Sequence, residues 1–192
     1  MQPLAASDVR PPAAYEPVRA EARRQVIELK RHRRVTLSPI LSLVFENRDT
    51  VRSVIEELLR AERIEDPQRI AEEVEVFNEL IPGERELSAT LFLEITDQAE
   101  LAQRLNDLRG IEESVHMDVD GERVAQVHEE GRSRDDRTSS VHYLRFRLSD
   151  EQRQAFLRGA EVEVVADHPH LQARTPLDEQ QRMALGADLL GH

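Results

Sequence analysis

Apolar residues recur along the chain at two spacings, and the points where one spacing gives way to the other divide it into strands and helices. The change is sharpest between Arg33 and Arg63. After Val35, the residues Leu37, Leu41, Leu43 and Phe45 fall at even intervals, which makes one side of a strand almost wholly apolar. Beyond Asn47 and Asp49, the residues Val51, Val54, Ile55, Leu58 and Leu59 fall three and four apart, as on one face of a helix. Asn47 or Asp49 offers a side-chain oxygen to cap that helix. Pro39 interrupts the strand. Proline has no N–H for a ladder, so the strand is expected at a sheet edge, or broken or bulged near this residue.

The same reading extends in both directions. Pro3, Pro11 and Pro12 make residues 1–14 an extended or mobile arm, and a helix follows Pro17 with the stripe Val18, Ala22, Val26 and Leu29. It ends in the basic run Lys30, Arg31, His32, Arg33 and Arg34, which the helix dipole favours at a C-terminus. Asp66 and Pro67 start another helix, with the seam Ile70, Val74, Phe77 and Ile81, and Pro82 and Gly83 close it. Leu87–Ile95 alternates as a strand, and Leu101, Leu105 and Leu108 line a helix that Gly110 ends.

Ser114–Val119 and Glu122–His128 form a hairpin on Asp120–Gly121, in the register that pairs Met117 with Val124 and Asp118 with Arg123. Residues Glu129–Ser140 are polar and aperiodic and are expected to be a mobile loop. Val141–Leu148 is a strand with His142, Leu144, Phe146 and Leu148 on one face, and Ser149 with Gln152 boxes the start of a short helix. Val162, Val164 and Ala166 give a last strand, whose Glu161 and Glu163 are expected opposite Arg145 and Arg147. Asp178 precedes a terminal helix with the stripe Met183, Ala187 and Leu190. The fold expected is α+β, one domain over residues 1–192, with a mostly antiparallel sheet of five or six strands and helices packed on one face.

Composition narrows the chemistry. The 192 residues are 39% hydrophobic, 33% charged and 4% aromatic, with no Trp and no Cys. An aliphatic core and a densely charged surface follow. Without cysteine the chain has no disulfide, thiolate zinc site, iron–sulfur ligation or thiol nucleophile of its own. No apolar run reaches the roughly 18 residues of a membrane span, and the N-terminus lacks a signal-peptide pattern, so a cytoplasmic protein without a membrane role is expected. The net charge of -12 argues against nucleic-acid binding. It is unevenly spread: residues 1–34 carry a surplus of +4 and residues 65–130 a deficit of -14. The acidic part suits a basic partner.

Four segments, RRVTLSPILSLVFENRDTVRSVIEELLRAERI, ELSATLFLEI, RTSSVHYLRFRL and ADHPHLQARTPLDEQQRMALGADL, taken in this order and spacing, resemble the bacterial domain-of-unknown-function family 3501 over about Tyr15 to Leu190. The family has no assigned activity or catalytic residues. The resemblance implies a genomic neighbourhood of rubrerythrin-like proteins and of iron–sulfur proteins related to heterodisulfide reductase subunits, hence a link to redox chemistry or peroxide defence.

Three sets of residues are candidates for a site. His116 and Asp118 on one strand and His142 on another are one metal-ligand set; Asp167, His168 and His170, just past the last strand, are a second, and either would suit iron, manganese or zinc. Arg48 and Arg52, beside Glu46, Asn47 and Asp49 at a helix start, are an anion-binding set. Serine-nucleophile, phosphate-loop, dinucleotide and zinc-protease motifs are absent. The leading expectation is a non-catalytic accessory or interaction protein serving a redox or peroxide-defence system, with no cofactor and with a rubrerythrin-like or iron–sulfur protein as partner. The alternatives are a metal-dependent enzyme with His and carboxylate ligands, and a regulatory or nucleic-acid-binding protein using its basic arm. The sequence leaves open whether the sheet's second face is exposed or buried in a homodimer.

Overall fold

The computed structural model describes residues 1–128 and 138–191. Of the expected loop Glu129–Ser140, residues 129–137 lie outside the described residues. Among the described residues nine strands, β1 (Arg34–Ser38), β2 (Leu41–Glu46), β3 (Glu86–Leu93), β4 (Val115–Val119), β5 (Glu122–Arg123), β6 (Ala125–His128), β7 (Val141–Arg147), β8 (Val162–His168) and β9 (Leu171–Pro176), form two antiparallel sheets. Their orders are β1-β2-β3-β7-β6 and β5-β4-β8-β9. The helices are α1 (Pro12–Tyr15), α2 (Arg19–Arg31), α3 (Arg48–Glu62), α4 (Pro67–Asn78), α5 (Leu101–Asp107), α6 (Ile111–Ser114), α7 (Asp150–Leu157) and α8 (Glu179–Leu189). Among the described residues no helix is long and apolar enough to cross a membrane.

At Pro39 the chain turns back, so the interrupted strand becomes the hairpin β1–β2, with Val35 opposite Leu43 and β1 at the sheet edge. Asn47 caps α3 by accepting from the backbone N–H groups of Asp49 and Thr50, and Asp66 caps α4 with Pro67 as its first residue. The Asp120–Gly121 turn has positive φ at both residues and sets Asp118 opposite Arg123, the register that the hairpin dipeptide predicts.

The fold is α+β and antiparallel, as expected, but the strands divide five and four rather than joining one sheet. The division starts at Val124. Its N–H donates to the Met117 carbonyl (2.8 Å), and the segment then leaves β4 and pairs with β7 as β6. At the other margin the Thr175 hydroxyl of β9 donates to the Thr36 carbonyl of β1 (3.2 Å). The inner faces meet in the main core: Val35, Leu43, Phe45, Leu91, Leu144 and Phe146 from the larger sheet, Val115, Met117, Val162 and Val164 from the smaller. Leu105, Leu108 and Ile111 of the α5–α6 region and Phe156, Leu185 and Leu189 of α7 and α8 complete that core.

Because β8 lies in the smaller sheet, Glu163 pairs with Arg174 of β9 and not with Arg145 or Arg147, both of which bind Glu86 of β3. The terminal helix is also differently phased. Leu185, Gly186, Asp188 and Leu189 are buried, whereas Met183 and Leu190 are exposed. Apolar residues occur all round this helix, so their spacing alone does not fix its inner face.

A second core lies between α3 and α4 and contains Val51, Ile55, Leu59, Ile70 and Val74. The N-terminal arm is seated on it through buried Leu4 and Val9. Leu4 exchanges hydrogen bonds with the Asn78 side chain, and Arg10 grips Glu56 with two guanidinium nitrogens, each at 2.7 Å.

Candidate functional site

Sheet register brings one row of side chains together on the outer face of the larger sheet. Glu46 of β2 stands opposite Ser88 of β3, Ser88 opposite Arg145 of β7, and Arg145 opposite Val127 of β6. In the adjoining row Thr90 faces Tyr143. Val76, Phe77, Glu79 and Leu80, from the end of α4 and the residues after it, lie over these rows and enclose a cleft of about 390 Å³. The Ser88 hydroxyl donates to the Leu80 carbonyl (2.6 Å), which ties roof to floor.

The polar groups of the floor are held from several sides. Glu46, 5% exposed, accepts from the Thr90 hydroxyl at 2.6 Å and from the Thr50 hydroxyl at 2.5 Å. Thr50 in turn accepts from the Asn47 N–H (2.9 Å), so the end of β2 and the first turn of α3 form one network. Among the described residues Glu46 has no ion-pair partner. Arg145 donates to Glu86 (3.0 Å), which Arg147 also reaches (2.7 Å). Burial opposes ionisation of Glu86, but the hydrogen bonds from Arg147 and the Gly83 N–H, with the charge of Arg145, outweigh it and hold the carboxyl below its usual range.

The mouth of the cleft is apolar. Val76 is 63% exposed and Val127 44%, and on the surface of α4 Val76 has Glu72, Glu73 and Glu79 as its neighbours three and four residues away. Among the described residues no histidine lines the cleft, and its serine hydroxyl is bonded to a carbonyl. The arrangement fits the binding of a side chain or small molecule by apolar walls and a few fixed polar groups.

His116, His142, His168 and His170 lie elsewhere. His116 of β4 receives a hydrogen bond from Arg123 at Nδ1 (2.5 Å) and has Asp118 3.6 Å from Nε2. Burial first, then the charge of Arg123, pushes its pKa down. His142 of β7 is buried, with Nε2 2.9 Å from both the Thr138 hydroxyl and the Ser139 carbonyl and with Glu112 3.8 Å from Nδ1. His168 donates from Nε2 to the Arg109 carbonyl (3.0 Å) and accepts the His170 N–H at Nδ1 (3.2 Å); the two rings are 5.8 Å apart. Asp167 is exposed and lies 3.5 Å from the Gln172 amide. Among the described residues no three His, Asp or Glu side chains are grouped so as to hold a metal ion. Of the anion-binding candidates, Arg48 donates to Asp8 (2.6 Å) and Arg52 lies 2.8 Å from Asp49.

Residues 3–189 match the model of a family described as Protein of unknown function (DUF3501). The chain belongs to this family. A crystal structure of a novel protein of unknown function from Burkholderia pseudomallei is similar to it throughout, with a TM-score of 0.91 and 33% identity over 98% of this chain and 100% of that one. No curated protein matches.

For a DUF3501 chain, then, the residues of interest come from the strand register. The junction Glu46–Asp49 stands out in the sequence because it starts a helix, and the reading there favours its arginines. The buried group is the carboxylate of Glu46. The rest of the row, Ser88, Arg145 and Val127, comes from three further strands, and nothing in their local sequence marks them as neighbours.

Proposed function

We propose that the chain is a non-catalytic accessory protein of a redox or peroxide-defence system, and that it engages its partner protein at the cleft beneath α4. The observation that carries this reading is the cleft itself, which has an open apolar mouth at Val76 and Val127 and a floor whose polar groups are held by internal bonds. A fixed concave site of this kind receives an anchor side chain from a partner. Acidic α4 around the mouth, with the charge deficit of residues 65–130, favours a basic partner surface.

The redox association rests on the family resemblance, which points to rubrerythrin-like and iron–sulfur proteins. It is consistent with a chain that has no cysteine, since thiolate-ligated redox centres then belong to the partner. The test is co-purification with purified rubrerythrin-like and iron–sulfur proteins of the same organism, using the native chain and the double variant Val76→Glu, Val127→Glu. Both positions are exposed, so the variant should fold, as circular dichroism would verify. One such protein should accompany the native chain and be lost from the variant. Equal recovery by both would remove the cleft from the contact, and recovery of neither protein by the native chain would remove the partner.

A further inference from the structure

We infer that the cleft is a site for a primary ammonium group, with Glu46 as its counter-ion and a lysine side chain of the partner as its occupant. The inference rests on the cleft being the partner contact and adds what that contact recognises.

Glu46 is the starting point. Buried carboxylates are ordinarily matched by a cation. Asp188 has Arg33 and Glu56 has Arg10. Glu46 is buried at the floor of the cleft with two neutral hydroxyl donors, and the partial positive charge at the start of α3 offsets only part of its charge. Each carboxylate oxygen accepts one hydroxyl and retains capacity for a further donor. Arg145, the cation in the same row, is held by Glu86.

The walls select the kind of cation. Phe77, Leu80, Val76 and Tyr143 suit a methylene stem, with the aromatic rings able to face a charged end. Thr50 and Thr90 occupy one side of each Glu46 oxygen, which leaves an approach suited to a compact ammonium more than to the broad fork of a guanidinium. Glu72, Glu73 and Glu79 beside Val76 place negative charge at the mouth, where a basic segment of a protein would lie while one lysine enters.

Isothermal titration of the full chain tests this with three probes: a short capped peptide carrying one lysine between leucines, the same peptide with norleucine in place of lysine, and free butylamine. The lysine peptide should bind about tenfold tighter than the norleucine peptide, an ordinary gain for a desolvated charge pair. Glu46→Gln should erase that difference. If that variant does not fold, Val127→Trp, at an exposed position on the lip, should block both peptides. Butylamine binding tighter than the lysine peptide would overturn the assignment to a partner lysine. Equal binding of the two peptides by the native chain would overturn the ammonium site while leaving the cleft as an apolar contact. Binding of no probe would overturn the ammonium site, and the cleft contact would then stand or fall on the co-purification with Val76→Glu, Val127→Glu.

Discussion

Arg33 and Asp188, 155 residues apart, meet in a two-pronged ion pair with N–O distances of 2.7 and 2.6 Å and side chains only 3% and 2% exposed. The pair fixes α8 against the start of β1, and Arg33 also reaches the Phe45 carbonyl at 3.5 Å. Burial pushes the Asp188 carboxyl up, and Arg33 pulls against that shift.

Removing one partner leaves the other buried and uncompensated. Asp188→Ala or Arg33→Ala should each destabilise the fold by about 3–5 kcal/mol in urea unfolding, whereas the apolar pair Arg33→Met, Asp188→Leu should lose far less. In Arg33→Met alone, burial acts without the arginine's opposition, and Asp188 should take up its proton at a higher pH than in the native chain. Single and double variants of equal stability would contradict this account.

Tyr15 is fully buried, with its hydroxyl donating to Glu57 at 2.9 Å and the Arg10 guanidinium 5.2 Å from its ring centre. Burial, the hydrogen bond to Glu57 and the nearby acidic charges push its pKa up to about 12. A raised pKa means that the stability this group supplies is present below the ordinary tyrosine value near 10 and is lost as pH rises through the folded value. Ultraviolet titration should therefore show a phenolate step near 12 that disappears in Tyr15→Phe. The same variant should be about 1 kcal/mol less stable at neutral pH.

At His116 the sign is opposite. Burial and Arg123 depress its pKa, although Asp118 and Asp167 pull the other way. The neutral ring accepts from Arg123, so the stability it supplies is present above the ordinary histidine range and lost as pH falls through the folded value. In an NMR titration Arg123→Met should move the His116 pKa part of the way back up, since burial, the larger cause, remains. No movement would show that Arg123 does not set it.

Much of the fold was legible because its signals are local. Asn47 and Asp66 mark helix starts by capping, Pro39 marks the break between β1 and β2, and Asp120–Gly121 fixes a hairpin register to the residue. Strand β9 was not legible, since its sequence LQARTP has no strong alternation and ends in a proline that suits a helix start, and its place is set by pairing with β8. Arg33 sits in a basic run that resembles solvated surface, and only Asp188, far along the chain, makes its burial tolerable. The cleft was least legible of all. Its floor is a row across four strands, and a row exists only once every register is set.

Gly121 has φ +79, a conformation that costs other residues about 1 kcal/mol or more. Gly121→Ala should lower stability by that amount, measured by thermal unfolding, even though there is open space around the added methyl.

The segment after that turn belongs to both sheets, pairing with β4 before Val124 and with β7 after it. A tear between the sheets therefore has no free margin on this side, because the chain crosses it as a stitch. The Val124 amide should exchange with solvent only on whole-molecule opening, as slowly as amides at the centre of β3. Exchange markedly faster at Val124 would mean that the stitch loosens before the cloth.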